Sequence, residues 1–322
     1  MTRMLLLDKA DLFRRLSDRL KDFEIIGPYE LPNRGIFYAT LKDINDLYLG
    51  EAFTIEPIKK FFLNPSEELE EPLAQRQRII IGARPCEVRG LELMDKVFDG
   101  SDHKDQHYLH NRQRSVIIGL SCSLPDKTCF CTSMEGSPVE NRGMDALLSR
   151  KNEDSFFLEV FTQKAQDLFL DIGREAEQKE QDDLKKIKQD CIHTLKRKIG
   201  VPALEKLDAV FENDYWVRVS RPCLSCGVCT YLCPTCHCFD LVDEERKRLR
   251  CYDGCAFSDF TLEASGVNPR PTKKERYRQR VFHKFNYFKK NFAENLCVGC
   301  GRCIRYCPVK IDISEIIDKT PI

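Results

Sequence analysis

Two uninterrupted apolar runs stand out in the first half of the chain. Residues 78–82 (RIIIG) and Ser115–Leu120 (SVIIGL) are too short for helices and rich in β-branched side chains. They read as strands buried on both faces, the pattern of a mainly parallel sheet. Between them Val88, Leu91, Met94, Val97 and Phe98 recur at helical spacing. A strand–helix–strand unit follows, and with it an α/β domain over residues 1–162. The pattern changes over 163–214, which is highly charged and helical. Leu184, Ile187, Cys191, Leu195 and Ile199 fall close to one face, and Pro202 opens a second amphipathic helix through Leu204, Leu207, Val210 and Phe211. Residues 215–322 form a cysteine-rich domain, expected to be mostly helical. The fold class is α+β: an α/β domain, a helical connector and, from two C-x2-C-x2-C-x3-C-P runs at 223–234 and 297–308, a ferredoxin-like domain.

Composition narrows the class. The 322 residues carry 17 cysteines and a net charge of zero, so the molecule as a whole makes no electrostatic bid for nucleic acid or membrane. The N-terminal apolar run, residues 4–7, is too short for a signal peptide or a membrane span, and no later run approaches membrane length. The chain therefore reads as cytoplasmic, where cysteines in such number point to metal or redox chemistry and not to disulfides.

Eight cysteines fall into a duplicated motif. Cys223, Cys226, Cys229 and Cys233-Pro234 match C-x2-C-x2-C-x3-C-P, and Cys297, Cys300, Cys303 and Cys307-Pro308 match it again. In two-cluster ferredoxins the fourth cysteine of each run ligates the other cluster. The expected sets are thus Cys223, Cys226, Cys229 and Cys307 for one [4Fe–4S] cluster, and Cys297, Cys300, Cys303 and Cys233 for the second. Two-residue gaps wrap three thiolates around three corners of a cuboidal cluster. Gly227, Gly299 and Gly301 permit the tight backbone this needs. Zinc sites instead come as separated C-x2-C pairs. The insert between the halves, residues 234–296, is expected to be structured, with helices packed beside the clusters.

Nine cysteines remain. Cys236 and Cys238 follow the first motif directly, and Cys251 and Cys255 form C-x3-C; together they could hold a third metal centre, an iron–sulfur cluster or a zinc ion with or without His237, or stay unligated. Cys86 and Cys122 each follow one of the apolar strands, so parallel pairing would bring them to the same sheet edge, where α/β folds bind ligands. Cys129 and Cys131 come shortly after, and the four could form a fourth centre or remain thiols. Cys191 reads as a small core residue. Residues 268–290 carry nine Lys and Arg against Glu275 alone, with five interleaved aromatics. A helix that compensates the negative clusters is favoured over a docking face or a nucleic-acid stripe.

Long stretches of the chain resemble a known family. GARPCEVRGLELMDKVF (82–98), IIGLSC…TCFCTS (117–133), CLSCGVCTYLCPTCHCF (223–239), RCYDGCAFSDFTLEASGVNPRP (250–271), RYRQRVFHKF (276–285) and CVGCGRCIRYCPVKIDI (297–313) are similar to the iron–sulfur subunit family that sulfhydrogenases, in their beta subunits, share with anaerobic sulfite reductases. The resemblance implies an electron-relaying component of a multisubunit oxidoreductase. Its expected partners are a flavoprotein subunit that binds NAD(P)H and a catalytic redox subunit of hydrogenase, sulfite reductase or heterodisulfide-reductase type. No independent catalysis is expected: the chain has neither a GxGxxG turn after a strand nor a Walker A loop, and no nucleophile–base pair. Two other readings are substrate reduction at an N-terminal cluster and a nucleic-acid-binding iron–sulfur protein.

Overall fold

The computed structural model describes residues 3–100 and 102–321. Strands β1 (Arg3–Asp8), β2 (Glu24–Leu31), β3 (Gly35–Thr40), β4 (Ser66–Glu68), β5 (Arg78–Ala83), β6 (Ser115–Leu120), β7 (Ala146–Arg150), β8 (Ser155–Val160) and β9 (Arg174–Glu175) precede the cysteine-rich region. All but β4 form one eight-stranded sheet in the order β3-β2-β5-β6-β7-β8-β1-β9. Both strands read from the apolar runs are present. β5 and β6 lie side by side in parallel at the centre and are buried throughout. Ile79, Ile81 and Ile118 pack beneath the Lys9–Arg19 helix through Leu12 and Leu16. Ile80 and Ile117 face the other way, against Val88, Leu91 and Met94 of the Pro85–Phe98 helix. Pro85 opens that helix at a position where its missing N–H costs nothing, and Glu87 accepts the Arg84 N–H at 2.8 Å.

The sheet is mixed, not mainly parallel. β2, β5, β6 and β7 pair in parallel, while β3, β8, β1 and β9 join through antiparallel pairs. Two tight reversals set β3 and β8 against the parallel strands. One joins β2 to β3 with Asn33 and Gly35 at positive φ, and the other joins β7 to β8. The N-terminal apolar run is strand β1, held between β8 and β9.

The connector helix runs Gln178–Thr194, shorter than its apolar spacing suggests. From Leu195 the chain turns extended and is tied down: the Ile199 N–H donates to Ser133 Oγ at 3.0 Å, and Arg197 pairs with Asp312 and donates to Ser314 Oγ at 2.6 Å. Ile199 therefore joins the C-terminal core instead of continuing the helix.

Strands β10 (Phe239–Glu244) and β11 (Lys247–Tyr252) make the first part of the insert a hairpin, where helices were expected. Its second strand pairs with β4, which stitches the insert to the N-terminal region. The second part is helical: Lys273–Phe282, a π-turn at His283–Tyr287 and Phe288–Phe292. Tyr277, Val281, Phe282 and Phe285 from this helix, with Trp216, build a core that Phe130 and Met134 of the N-terminal region enter.

Candidate iron–sulfur centres

The two duplicated loops are built alike. In each, glycine at positive φ (Gly227, φ 74°; Gly301, φ 71°) turns the chain into a one-turn helix, Val228–Tyr231 or Arg302–Arg305. Cys223, Cys226 and Cys229 from one loop and Cys303 and Cys307 from the other line a single, mostly apolar cavity together with Tyr277 and Arg280. Backbone donors already point at sulfur there: Ser225 N–H to Cys223 Sγ at 3.4 Å, and Ile311 N–H to Cys307 Sγ at 3.2 Å. Cys303 stands between the two groups, with Cys300, Cys297 and Cys233 close by on its other side. Each loop thus sends its last cysteine to the other loop's trio. Burial pushes the Cys297 thiol up to about 12. Such thiols, apolar lining and N–H···S contacts fit a negatively charged iron–sulfur cluster.

Cations surround the second group from within. Arg280, Lys284 and Lys59 are all buried. Arg280 donates to Cys236 Sγ at 3.3 Å, Lys284 Nζ to Thr235 Oγ1 at 2.7 Å, and Lys59 Nζ to the Cys236 carbonyl at 2.7 Å. Burial opposes the charge on Lys284, but Cys233 and Cys236 outweigh it and hold its pKa above the ordinary lysine value. The basic segment 268–290 therefore turns part of its charge inward, and its aromatics Tyr277, Phe282, Phe285 and Phe288 are buried.

The other cysteines separate into different surroundings. Cys236 lies against Cys233, while Cys238 and Cys255 are neighbours and Cys255 also faces Cys229. Cys251 turns instead to Ser66 Oγ on β4, 3.7 Å away. The Nδ1 of His237 meets the Thr235 carbonyl at 3.0 Å, and its ring packs edge-on against Phe98 and His283. Burial pushes His237 down to about 4, so it is neutral at pH 7.

At the sheet edge, Cys122 follows β6 and Cys86 sits in the first turn of the Pro85–Phe98 helix, as parallel pairing requires. They are within electrostatic reach of each other, but their packing partners differ. Cys86 packs with Val298 and Cys300 of the second duplicated loop. Cys129 and Cys131 pack with Leu195, one residue past the connector helix whose Cys191 Sγ donates to the Cys122 carbonyl at 2.8 Å. Cys191 is buried, as a small core residue would be, but its core is this cysteine group. Sequence periodicity placed it on an apolar face and could not say which face of the molecule that was.

The loop carrying Cys129 and Cys131 lies directly on the second duplicated loop. Phe130 N–H donates to the Gly299 carbonyl at 2.8 Å. A Cβ on Gly299 would stand 2.6 Å from the Phe130 carbonyl oxygen, and one on Gly301 2.6 Å from that of Thr128. Nearby, fully buried Glu87 pairs with Arg302 at 2.8 Å and accepts the Tyr38 hydroxyl at 2.7 Å, closing the interface with a charge pair.

A family profile described as a 4Fe-4S dicluster domain matches residues 222–311, both duplicated loops and the insert between them. The chain is also 31% identical, over 96% of its own length and 96% of the relative's, to the Sulfhydrogenase 2 subunit beta of Pyrococcus furiosus. The chain belongs to the sulfhydrogenase beta-subunit family. It is an iron–sulfur, electron-transferring component of an oxidoreductase, and its dicluster domain carries two [4Fe–4S] clusters. A shorter likeness, 49% over 39 residues, covers 12% of this chain and 16% of the uncharacterized protein MJ0749 of Methanocaldococcus jannaschii. No solved structure matches the chain. Among the described residues no helix is long and apolar enough to cross a membrane.

Proposed function

We propose that this member of the family relays single electrons inside a multisubunit cytoplasmic oxidoreductase, between a flavoprotein subunit that handles NAD(P)H and a catalytic redox subunit. The name of the Pyrococcus relative points to a hydrogenase as the catalytic partner. We assign the ligands in crossed sets: Cys223, Cys226, Cys229 and Cys307 for one cluster, Cys297, Cys300, Cys303 and Cys233 for the other.

The observation that carries this reading is the placement of the two cysteine sets. One is enclosed by Lys284 and the N-terminal loop, with Arg280 between the two sets. The other reaches the surface: Cys226 is exposed, and exposed Leu224 lines the same cavity. An electron relay needs one such outlet for a partner and a shielded interior for the rest of the path. Bound clusters supply one-electron redox chemistry. The chain's own residues hold the thiolate sets apart, exclude water with Tyr277 and Ile311, and place buried cations where negative charge accumulates. A hydride acceptor has no place in this division of labour, so NAD(P)H oxidation falls to the flavoprotein.

The test is reduction of the purified, cluster-loaded chain. Dithionite should reduce it, and NADH should not unless a flavoprotein is added. Rapid reduction of a dye by NADH and the isolated chain would contradict the reading.

A further inference from the structure

Three separate segments deliver cysteines to one buried spot beneath the sheet edge. Cys122 comes from the end of β6, Cys129 and Cys131 from the following loop, and Cys191 from the last turn of the connector helix. All four are buried, Cys191 to 2% exposure and the others to 7%. Cys191 Sγ touches the Cys122 carbonyl, and Cys129 and Cys131 pack on Leu195, one turn beyond Cys191. We propose that Cys122, Cys129, Cys131 and Cys191 ligate a third [4Fe–4S] cluster outside the dicluster domain.

Ordinary packing explains one buried cysteine; it does not explain four gathered from segments as far apart as β6 and the connector. Burial pushes the thiols up, Cys129 and Cys191 to about 12, so they are protonated when free. On cluster assembly each thiol releases its proton as its sulfur bonds to iron. All-sulfur ligation selects iron–sulfur clusters or zinc. Among the described residues no three Cys, His, Asp or Glu side chains converge as a single ion requires. The eight dicluster cysteines form no such group either, so this arrangement does not count against a cluster. The site also abuts the wire already present: Cys129 Sγ stands 3.6 Å from the Cys300 carbonyl. Cys86 is within electrostatic reach of Cys122 but packs on Val298 and Cys300 of the second duplicated loop, and the proposal leaves it outside the set. The metal claim stands on these thiols alone; only the added role as a relay point rests on the relay reading.

The experiment uses the full chain, purified anaerobically and reconstituted with ferrous iron and sulfide. Three clusters give about 12 iron and 12 sulfide per chain, and two give about 8. Wild type and Cys86→Ser are expected near 12. Cys191→Ala, its closer mimic Cys191→Ser, and Cys122→Ser are expected to lose about a third of the iron and one component of the reduced EPR spectrum. Wild type at about 8, zinc in place of the third portion of iron, or Cys191 variants that keep the full complement would overturn the proposal. The relay reading fails separately, when a chain that holds its iron takes up no electrons from dithionite. Circular dichroism identifies a variant that has misfolded, and the wild-type metal count decides without it.

Discussion

At the residue scale, charge and backbone geometry around the second cysteine group make direct statements about energy. Lys284 is buried, charged, and beside Cys233 and Cys236. A positive charge there stabilises the more negative, reduced cluster. Coulomb's law at an effective dielectric of about 20 and a separation of about 6 Å gives close to 3 kcal/mol, on the order of 100 mV for one electron. Lys284→Met is therefore expected to lower the midpoint potential of the Cys233-ligated cluster by tens of millivolts up to that figure, read by an EPR-monitored redox titration. An unchanged potential would show that solvent or other charges screen the lysine. Gly301 makes a different statement. Its φ of 71° and the nearness of Thr128 leave no room for a methyl group. Gly301→Ala should cost at least about 2 kcal/mol in stability, seen as a lower thermal midpoint, whereas Gly266→Ala has open space and should cost only its backbone strain.

Elements explain which parts of the fold the sequence displays and which it hides. RIIIG and SVIIGL are legible because strands buried on both faces need unbroken apolar runs. Their mixed-sheet neighbours are not, since β3 and β8 take their direction from short reversals and not from their own composition. The hairpin β10–β11 hides for a related reason: its outer face is polar and its pairing partner, β4, lies far back in the chain. The duplicated cysteine loops are fully legible, because cluster geometry fixes spacing locally. Cys191 is not, because its partners arrive through tertiary contact. Where elements meet, Glu87 in the Pro85–Phe98 helix pairs with Arg302 in the second loop, both essentially inaccessible. Glu87→Gln leaves a buried guanidinium short of its counter-charge and is expected to cost about 3–5 kcal/mol. Denaturant unfolding measures it; a change under about 1 kcal/mol would mean that water reaches Arg302.

At the scale of the whole molecule, the sheet and the dicluster domain share a core, since Phe130 and Met134 pack among Tyr277, Phe282 and Ile317. Iron removal should therefore loosen more than the cysteine loops. Limited proteolysis of chelated protein is expected to cut first within 222–311 and next in the 122–136 loop, with the central strands β5 and β6 protected longest. Early cleavage within the sheet would contradict this order. The crossed ligand sets make the same point about connectivity: with Cys223, Cys226 and Cys229 all replaced by Ser, adding Cys307→Ser should leave the surviving dicluster signal unchanged, while Cys233→Ser should abolish it.

The relay itself is tested most directly by EPR spectroscopy of the anaerobic, cluster-loaded chain before and after reduction with dithionite. Two neighbouring [4Fe–4S] clusters that each accept one electron are predicted to be silent when oxidised and, once reduced, to give a broadened spectrum from paramagnets that interact. A sample that holds its iron yet takes up no electrons, or a spectrum of isolated centres with no mutual broadening, would contradict the relay.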